Sequence, residues 1–371
     1  MQSQDLASLT QHVLWAAFAV GLVFGAIAQK THFCTMGAIS DVVNMGDWTR
    51  ARQWALAMGV AMLGFSLLVF FGQIDASKTL YYSTRWIWLS TAIGGLLFGL
   101  GMVLASGCGS KSLVRLGSGS LKSLVVLLTM AVAGFATLKG ITAVLRVSTV
   151  DQIAVELSDG ASLPYLFASA VGISPPVSGL ALSLLVGGAL AILCLASREF
   201  RQRENLWAGF GIGAAIVAMW WISGAMAHLN EHPETLEEVF LATNSGRIEA
   251  LSFVAPVSYA LDWLMFYSDK SKVLTIGIVS VTGVVVGSAL SALSTSSFRW
   301  EGFVGTEDVA NHLVGGLLMG VGGVTAMGCT IGQGLSGMST LSLNSLVALG
   351  FIVLGAVVGF RYQSWRVDHQ T

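Results

Sequence analysis

The stretch GGLLFGLGMVLASGC, residues 94–108, returns as GGLLMGVGGVTAMGC at 315–329, with ten of fifteen positions identical and no gap. Five of the shared residues are Gly and one is Cys, so apolar composition alone does not account for the match. Shortly afterwards SLKSLVVL (120–127) is echoed by SLNSLVAL (342–349) at six of eight positions. A weaker copy, GLVFGAIAQKTHFC, occupies 21–34. A fourth, GFGIGAAIVAMWWI at 209–222, keeps the leading Gly but carries Ile222 where a Cys would stand, followed by Ser223 and Gly224. Self-similarity of this kind decides a fold before local propensity does.

Around these copies the chain is greasy. Of 371 residues, 54% are hydrophobic and 11% charged, with mean hydropathy +0.75, whereas soluble domains carry roughly 25% charged residues. Apolar runs long enough to cross a bilayer lie at about 12–29, 53–72, 86–106, 122–145, 177–197, 206–226, 272–293, 309–328 and 341–360. The expectation is an all-α integral membrane protein of about nine transmembrane helices, forming one domain over 1–371. Repeat A covers about 12–145, a linker span 177–197, and repeat B about 206–360. A single linker span makes the halves run in opposite directions, an inverted-topology repeat of the kind that places a substrate site near the midplane. Whether 251–267 crosses the membrane stays open at this point. The N-terminus lacks the basic region of a cleaved signal peptide.

Lys and Arg set the orientation. With the N-terminus outside, twelve fall in cytoplasmic segments (Lys30, Arg50, Arg52, Lys111, Arg115, Lys122, Arg198, Arg201, Arg203, Arg299, Arg361, Arg366) and six outside (Lys78, Arg85, Arg146, Arg247, Lys270, Lys272). Lys139 falls within the expected span 122–145. Aromatic residues at 81–88 and 220–221 read as interfacial belts. His312, opening span 309–328, reads as a packing histidine, with a gating or proton-linked role as the alternative. The net charge of −1 carries no information about partners, and no nucleic-acid partner is indicated.

Four cysteines occur, none in a CxxC pair and none in a zinc-like cluster with His. Cys194 sits in a featureless span and reads as a small core residue. Cys34, Cys108 and Cys329 occupy equivalent places in three repeats, each where a helix breaks. Irregular backbone at membrane depth is tolerated only where it lines a cavity or is buried in protein, which singles out Gly107, Gly109 and Gly328 beside the thiols. A thiol in apolar surroundings stays neutral; it is a weak donor with a soft, polarizable sulfur. It suits a soft anion held loosely enough to move on. A short helix starting after each Gly-Cys offers free N–H groups to an anion, and Thr330 and Gln333 are further donors for substrate oxygens. Lys111, the base nearest Cys108 in sequence, is expected in a watery cytoplasmic loop.

The Gly-Cys segments ASGCGSKSLVRLGSGSLKSL and AMGCTIGQGLSGMSTLSLNSL resemble those of the YeeE/YedE family of sulfur-compound transporters, which includes bacterial thiosulfate-uptake proteins. The resemblance implies an hourglass-shaped inner-membrane bundle with short re-entrant helices, taking up a small sulfur oxyanion, thiosulfate first. Cys108, Cys329 and Cys34 would relay it by S–H contacts. It implies no cofactor, no metal and no catalytic residues. The partners are the anion, membrane lipid and a cytoplasmic sulfur-carrier or sulfurtransferase protein. Sulfite, polysulfur species and selenium compounds remain open as substrates, and a membrane thiol oxidoreductase is the alternative of a different class. No Walker-type phosphate loop is present, so transport is not driven directly by ATP.

Overall fold

The computed structural model describes residues 3–233 and 235–370. Its helices, in chain order, are α1 (Ser3–Lys30), α2 (Thr35–Ser40), α3 (Thr49–Phe70), α4 (Trp88–Leu104), α5 (Gly109–Gly117), α6 (Leu121–Lys139), α7 (Ile141–Ser148), α8 (Leu163–Val171), α9 (Pro175–Ala196), α10 (Arg203–Trp221), α11 (Val254–Met265), α12 (Ile276–Ser294), α13 (Gly305–Thr325) and α14 (Leu343–Gln370). Between α13 and α14 lies a further short helix over 330–339, here called the Cys329 helix, whose middle, Gly332–Gly337, is wound as a π-helix. Similar wide turns extend α2 over Asp41–Met45 and α10 over Ile222–Met226. Two pairs of two-residue strands pin loops together.

Eight helical stretches among the described residues are long and apolar enough to cross a bilayer. The remaining long helix, α13, has 21 residues, but Glu307, Asp308, Asn311 and His312 make its first turns polar. The segment in doubt, 251–267, resolves into α11, whose 12 residues reach about 18 Å against a hydrocarbon core of about 30 Å. It does not cross. The run expected over 122–145 is two helices. α6 ends at Lys139, and Gly140 turns the chain, with Ala136 backbone 2.9 Å from where a Cβ would stand. Lys139 is therefore an exposed helix end, not a base within a span.

Small residues set the packing, as expected where lipid gives no hydrophobic drive between helices. A Cβ on Gly21 or Gly25 would fall 2.3 and 2.1 Å from the carbonyls of Ser280 and Val284, so α1 and α12 run parallel in close contact. Gly209 and Gly213 of α10 meet Leu56 and Val60 of α3 in the same sense. Gly95 and Gly99 of α4 lie on Ala348 and Ile352 of α14, and Gly316 and Gly320 of α13 on Val126 and Met130 of α6, again parallel. α4 and α13 instead cross antiparallel, Gly94 against Gly322 and Gly101 against Gly315.

The aromatic residues expected at the interfaces divide. Trp88 and Trp221 are exposed. Tyr81 and Trp220 are buried, because each has a polar partner deep in the protein: Tyr81 Oη donates to the Gly332 carbonyl at 2.6 Å, and Trp220 Nε1 to Ser339 Oγ at 3.0 Å. Both brace the Cys329 helix.

Candidate functional site

Three helices end in the same way. The N–H of Phe33, Gly107 and Gly328 reaches back five residues to the carbonyls of Ala28, Met102 and Gly323, at 3.2, 2.8 and 2.8 Å. The preceding residues, His32, Ser106 and Met327, adopt left-handed backbone with φ of 53°, 54° and 58°. This is the Schellman closure that normally recruits glycine; for non-glycine residues it costs roughly 1–3 kcal/mol each. The next residue but one is the cysteine in every case: Cys34, Cys108 and Cys329, all buried. A new helix then begins.

Each thiol therefore stands at a helix N-terminus. Cys34 Sγ accepts the N–H of Gly37 at 3.3 Å, and Cys329 Sγ that of Gly332 at 3.4 Å. Cys108 Sγ lies 3.2 Å from Ser110 Oγ. With the lone pairs of Cys34 and Cys329 turned toward the helix, the S–H proton is free to point away from it. Cys108 lies within electrostatic reach of both Cys34 and Cys329. Phe253 links the two strongest repeats. Its backbone N–H lies near the Cys329 sulfur, and its Cβ is 3.9 Å from where a side chain on Gly109 would begin. All four cysteines are free thiols.

A cavity of about 210 Å³ opens onto Gly328 and Met327, walled by Tyr81, Glu249, Ser252 and Tyr259. Ser252 Oγ is 4.0 Å from Cys329 Sγ. Glu249 accepts the Ser245 N–H at 2.7 Å and is bonded by the Ser245 hydroxyl, and no ion pair joins it among the described residues. Burial pushes its carboxyl up, against the downward pull of the Ser245 and Asn244 donors. The Glu249 carbonyl accepts from Ser223 Oγ at 2.5 Å. Thus the copy without a cysteine holds the cavity wall in place.

The family pattern described as Sulphur transport matches residues 30–358. The chain belongs to that family, the YeeE/YedE sulphur-transport proteins. It is similar to the thiosulfate transporter TsuA of Spirochaeta thermophila, 27% identical over 92% of this chain and 97% of the relative. It is also similar to TsuA of Escherichia coli, 27% identical over 90% of each. A shorter likeness, 30% identical over 28% of this chain and 24% of the relative, joins it to the probable transporter YedE of E. coli. This is a transporter family and not an enzyme family, and the protein is a multi-pass inner-membrane transporter of that family.

Within this sulphur-transport chain the structure brings Cys34, Cys108 and Cys329 together and leaves Cys194 apart. Cys194 packs with Leu56 and Phe200, and its Sγ donates to the Arg52 carbonyl at 3.4 Å. Gly107 lies under the Lys111 stem, 3.3 Å from Cγ to a built Cβ, and Gly109 lies 3.5 Å from Met130 Sδ. Gly328 is 3.1 Å from Gln333 Cγ on the same measure. Gln333 is engaged at both ends, donating to the Ala326 carbonyl at 2.6 Å and accepting from Ser345 Oγ at 2.6 Å. It clamps the break before Cys329. The Thr330 hydroxyl is fully buried and makes no hydrogen bond. His312 packs as a satisfied histidine, Nδ1 lying 2.7 Å from the Asp308 carbonyl and the ring edge-on to Phe303.

Several residues at the site were not singled out by sequence. Thr35 follows Cys34 as Thr330 follows Cys329, and its hydroxyl is likewise buried without a partner; the repeated Cys-Thr dipeptide was the available signal. Phe253 and Glu249 come from a loop outside every repeat copy and carry no such signal. Lys111 is a correction. It lies within α5, half-buried, within electrostatic reach of Cys34 and Cys108, and not in a watery loop. It was misplaced because α5 begins immediately after Cys108 and carries Lys111 back beside the thiols.

Proposed function

We propose that the protein takes up a small sulfur oxyanion, thiosulfate first, passing it from Cys329 to Cys108 to Cys34. The observation that carries this reading is the triple recurrence of one helix break, each ending in a buried thiol, with a helix N–H on the sulfur lone pair at Cys34 and Cys329 and the Ser110 hydroxyl beside Cys108. A neutral thiol donates weakly, so it can hold a soft anion without trapping it. The unpartnered hydroxyls of Thr35 and Thr330 offer donors to oxygen atoms beside the sulfur contact. Gly107, Gly109 and Gly328 let the Lys111, Met130 and Gln333 side chains close in on the breaks, and Gln333 fixes the geometry around Cys329. The similarity to two thiosulfate transporters, TsuA of S. thermophila and of E. coli, favours thiosulfate over sulfite, polysulfur or selenium species.

The architecture proposed with it has nine crossings in two inverted halves, narrowing at the thiols like an hourglass. Support comes from the helix directions. Parallel contacts of α4 with α14 and of α6 with α13 agree with nine alternating spans, α13 included. In the repeat alignment Gly94 corresponds to Gly315 and Gly101 to Gly322. Each therefore touches the partner of the other, as a two-fold relation between the halves requires. Twelve against six cationic residues put the N-terminus outside and the C-terminus inside, with the Glu249 cavity facing out. A cytoplasmic sulfurtransferase or sulfur carrier is the proposed recipient of the anion.

Growth of a sulfate-uptake mutant on thiosulfate as sole sulfur source, with and without this protein, tests the substrate. Growth restored by sulfite and not by thiosulfate would reassign it. Reporter fusions before residue 10 and after 371 test the topology; the same side for both would break it.

A further inference from the structure

The three thiols share a helical frame, so the residue three positions after each cysteine is directly comparable. These residues are Gly37, Lys111 and Gly332. At the two glycines a group from elsewhere fills the space a side chain would take. Arg50 Nη1 comes within 2.4 Å of a built Cβ at Gly37, and Ser252 Oγ within 2.7 Å at Gly332. At the middle thiol the chain supplies its own group, the Lys111 ammonium. Each thiol thus has a polar companion on the same side, neutral at Cys329 and cationic at Cys108 and Cys34.

The companions differ in how they are satisfied. Arg50 pairs with Asp41 at 3.3 Å, and Arg115, on the same helix as Lys111, donates to the Ser106 carbonyl at 2.9 Å. Lys111 forms no hydrogen bond or ion pair with any described residue. Its electrostatic neighbours are the thiols of Cys34 and Cys108 and the two guanidinium groups, which repel it. His32 adds a third basic side chain nearby. A half-buried ammonium among cations, without a carboxylate of its own, is costly unless a counter-charge arrives. A transported anion is such a charge.

We propose that Lys111 is an anion-binding residue, its ammonium forming with the thiols of Cys34 and Cys108 a charged station for a small divalent sulfur oxyanion. This deepens the reading of the preceding subsection and rests on it. The ammonium takes an oxygen of the anion, and the thiols take the softer sulfur end. Lys111 reaches this position because its methylene stem lies over Gly107. The anion passes from the neutral surroundings of Cys329 to a cationic pair of thiols, where it is held more tightly.

The test compares Lys111→Met and Lys111→Arg with the unaltered protein, purified and in liposomes, using thiosulfate as the probe. Lys111→Met is expected to raise the half-saturating concentration for uptake by about tenfold or more, roughly one lost charge-assisted contact, while Lys111→Arg stays within a few-fold. Thiosulfate should raise the Tm of the unaltered protein and of Lys111→Arg, but not of Lys111→Met, whose own Tm without ligand should be no lower. That ligand-dependent shift separates binding from a merely structural role. An unchanged half-saturation and thiosulfate response in Lys111→Met overturns the proposal and leaves the transport reading standing. If the unaltered protein neither responds to thiosulfate nor transports it, both fall.

Discussion

The breaks at Cys108 and Cys329 have the same backbone and opposite electrostatics. Both close with a left-handed residue two before the cysteine and a five-residue reach-back. Both are followed by a short helix ending near a restart of matching sequence. Yet the Cys108 helix carries Lys111 and Arg115, whereas no charge occurs from 329 to 340, and the acid facing the second break, Glu249, comes from a distant loop. The repeat thus preserves the part that places a thiol and varies the part that sets its field. Backbone closure depends on a few local torsions, which any copy must keep to make a break. Charge is free to differ, because the closure does not depend on it.

The largest expected effect breaks what the two sites share. Cys108→Ala and Cys329→Ala should each lower thiosulfate uptake by about tenfold or more at matched membrane expression, while Cys194→Ala leaves it unchanged. Equal uptake by all three variants would remove the thiol path. Cys329→Ser, which keeps a donor of similar size and loses the soft contact, should retain more uptake than Cys329→Ala. The transported thiosulfate should emerge with its two sulfur atoms still joined, measured with sulfur label in one position.

A second effect sharpens the difference in charge. An anion in the cavity beside Glu249 repels its carboxylate, so the protonated form binds the anion better. Burial already holds this carboxyl above its ordinary value near 4.5. Apparent affinity should therefore be highest in acid and fall, by at most about tenfold per pH unit for one proton, as external pH rises through the titration of Glu249. It should level off above that range. Glu249→Gln keeps an acceptor for the Ser245 and Asn244 donors and should give a flat profile. A variant retaining the pH dependence of the unaltered protein would show that another group titrates.

The smallest effect concerns the paired hydroxyls. Thr35→Val and Thr330→Val each remove a buried, unpartnered hydroxyl, which costs on the order of 1 kcal/mol or more to leave unsatisfied. Each should raise Tm slightly and weaken thiosulfate uptake by a few-fold. A fall in Tm without any change in uptake would mark these hydroxyls as structural.

Much of this was legible in advance, and for identifiable reasons. Apolar runs and repeated Gly-Cys segments are local signals, so the helices and three of the four thiols stood out. Errors arose where local polarity was overruled from a distance. Tyr81 and Trp220 looked like interfacial residues, but the Cys329 helix gives them buried polar partners. Lys139 looked like a base within a span until Gly140 was seen to end the helix there. Gln333, expected to donate to substrate oxygens, has one amide N–H on the Ala326 carbonyl and its oxygen on Ser345, contacts that no local signal announced.

By itself the sequence determined a membrane protein, its repeat and the equivalence of Cys34, Cys108 and Cys329. Hydropathy and spacing act over one helix or one repeat copy, and each copy can be read against another. Only the tertiary structure decided what stands beside each thiol: Arg50 at Gly37, Lys111 over Gly107, and Ser252 with Glu249 near Gly332 and Gly328. Those neighbours come from other helices and loops, or from a lysine whose stem folds back over a break. Electrostatic interaction depends on distance through space, and the order of residues along the chain does not encode that distance.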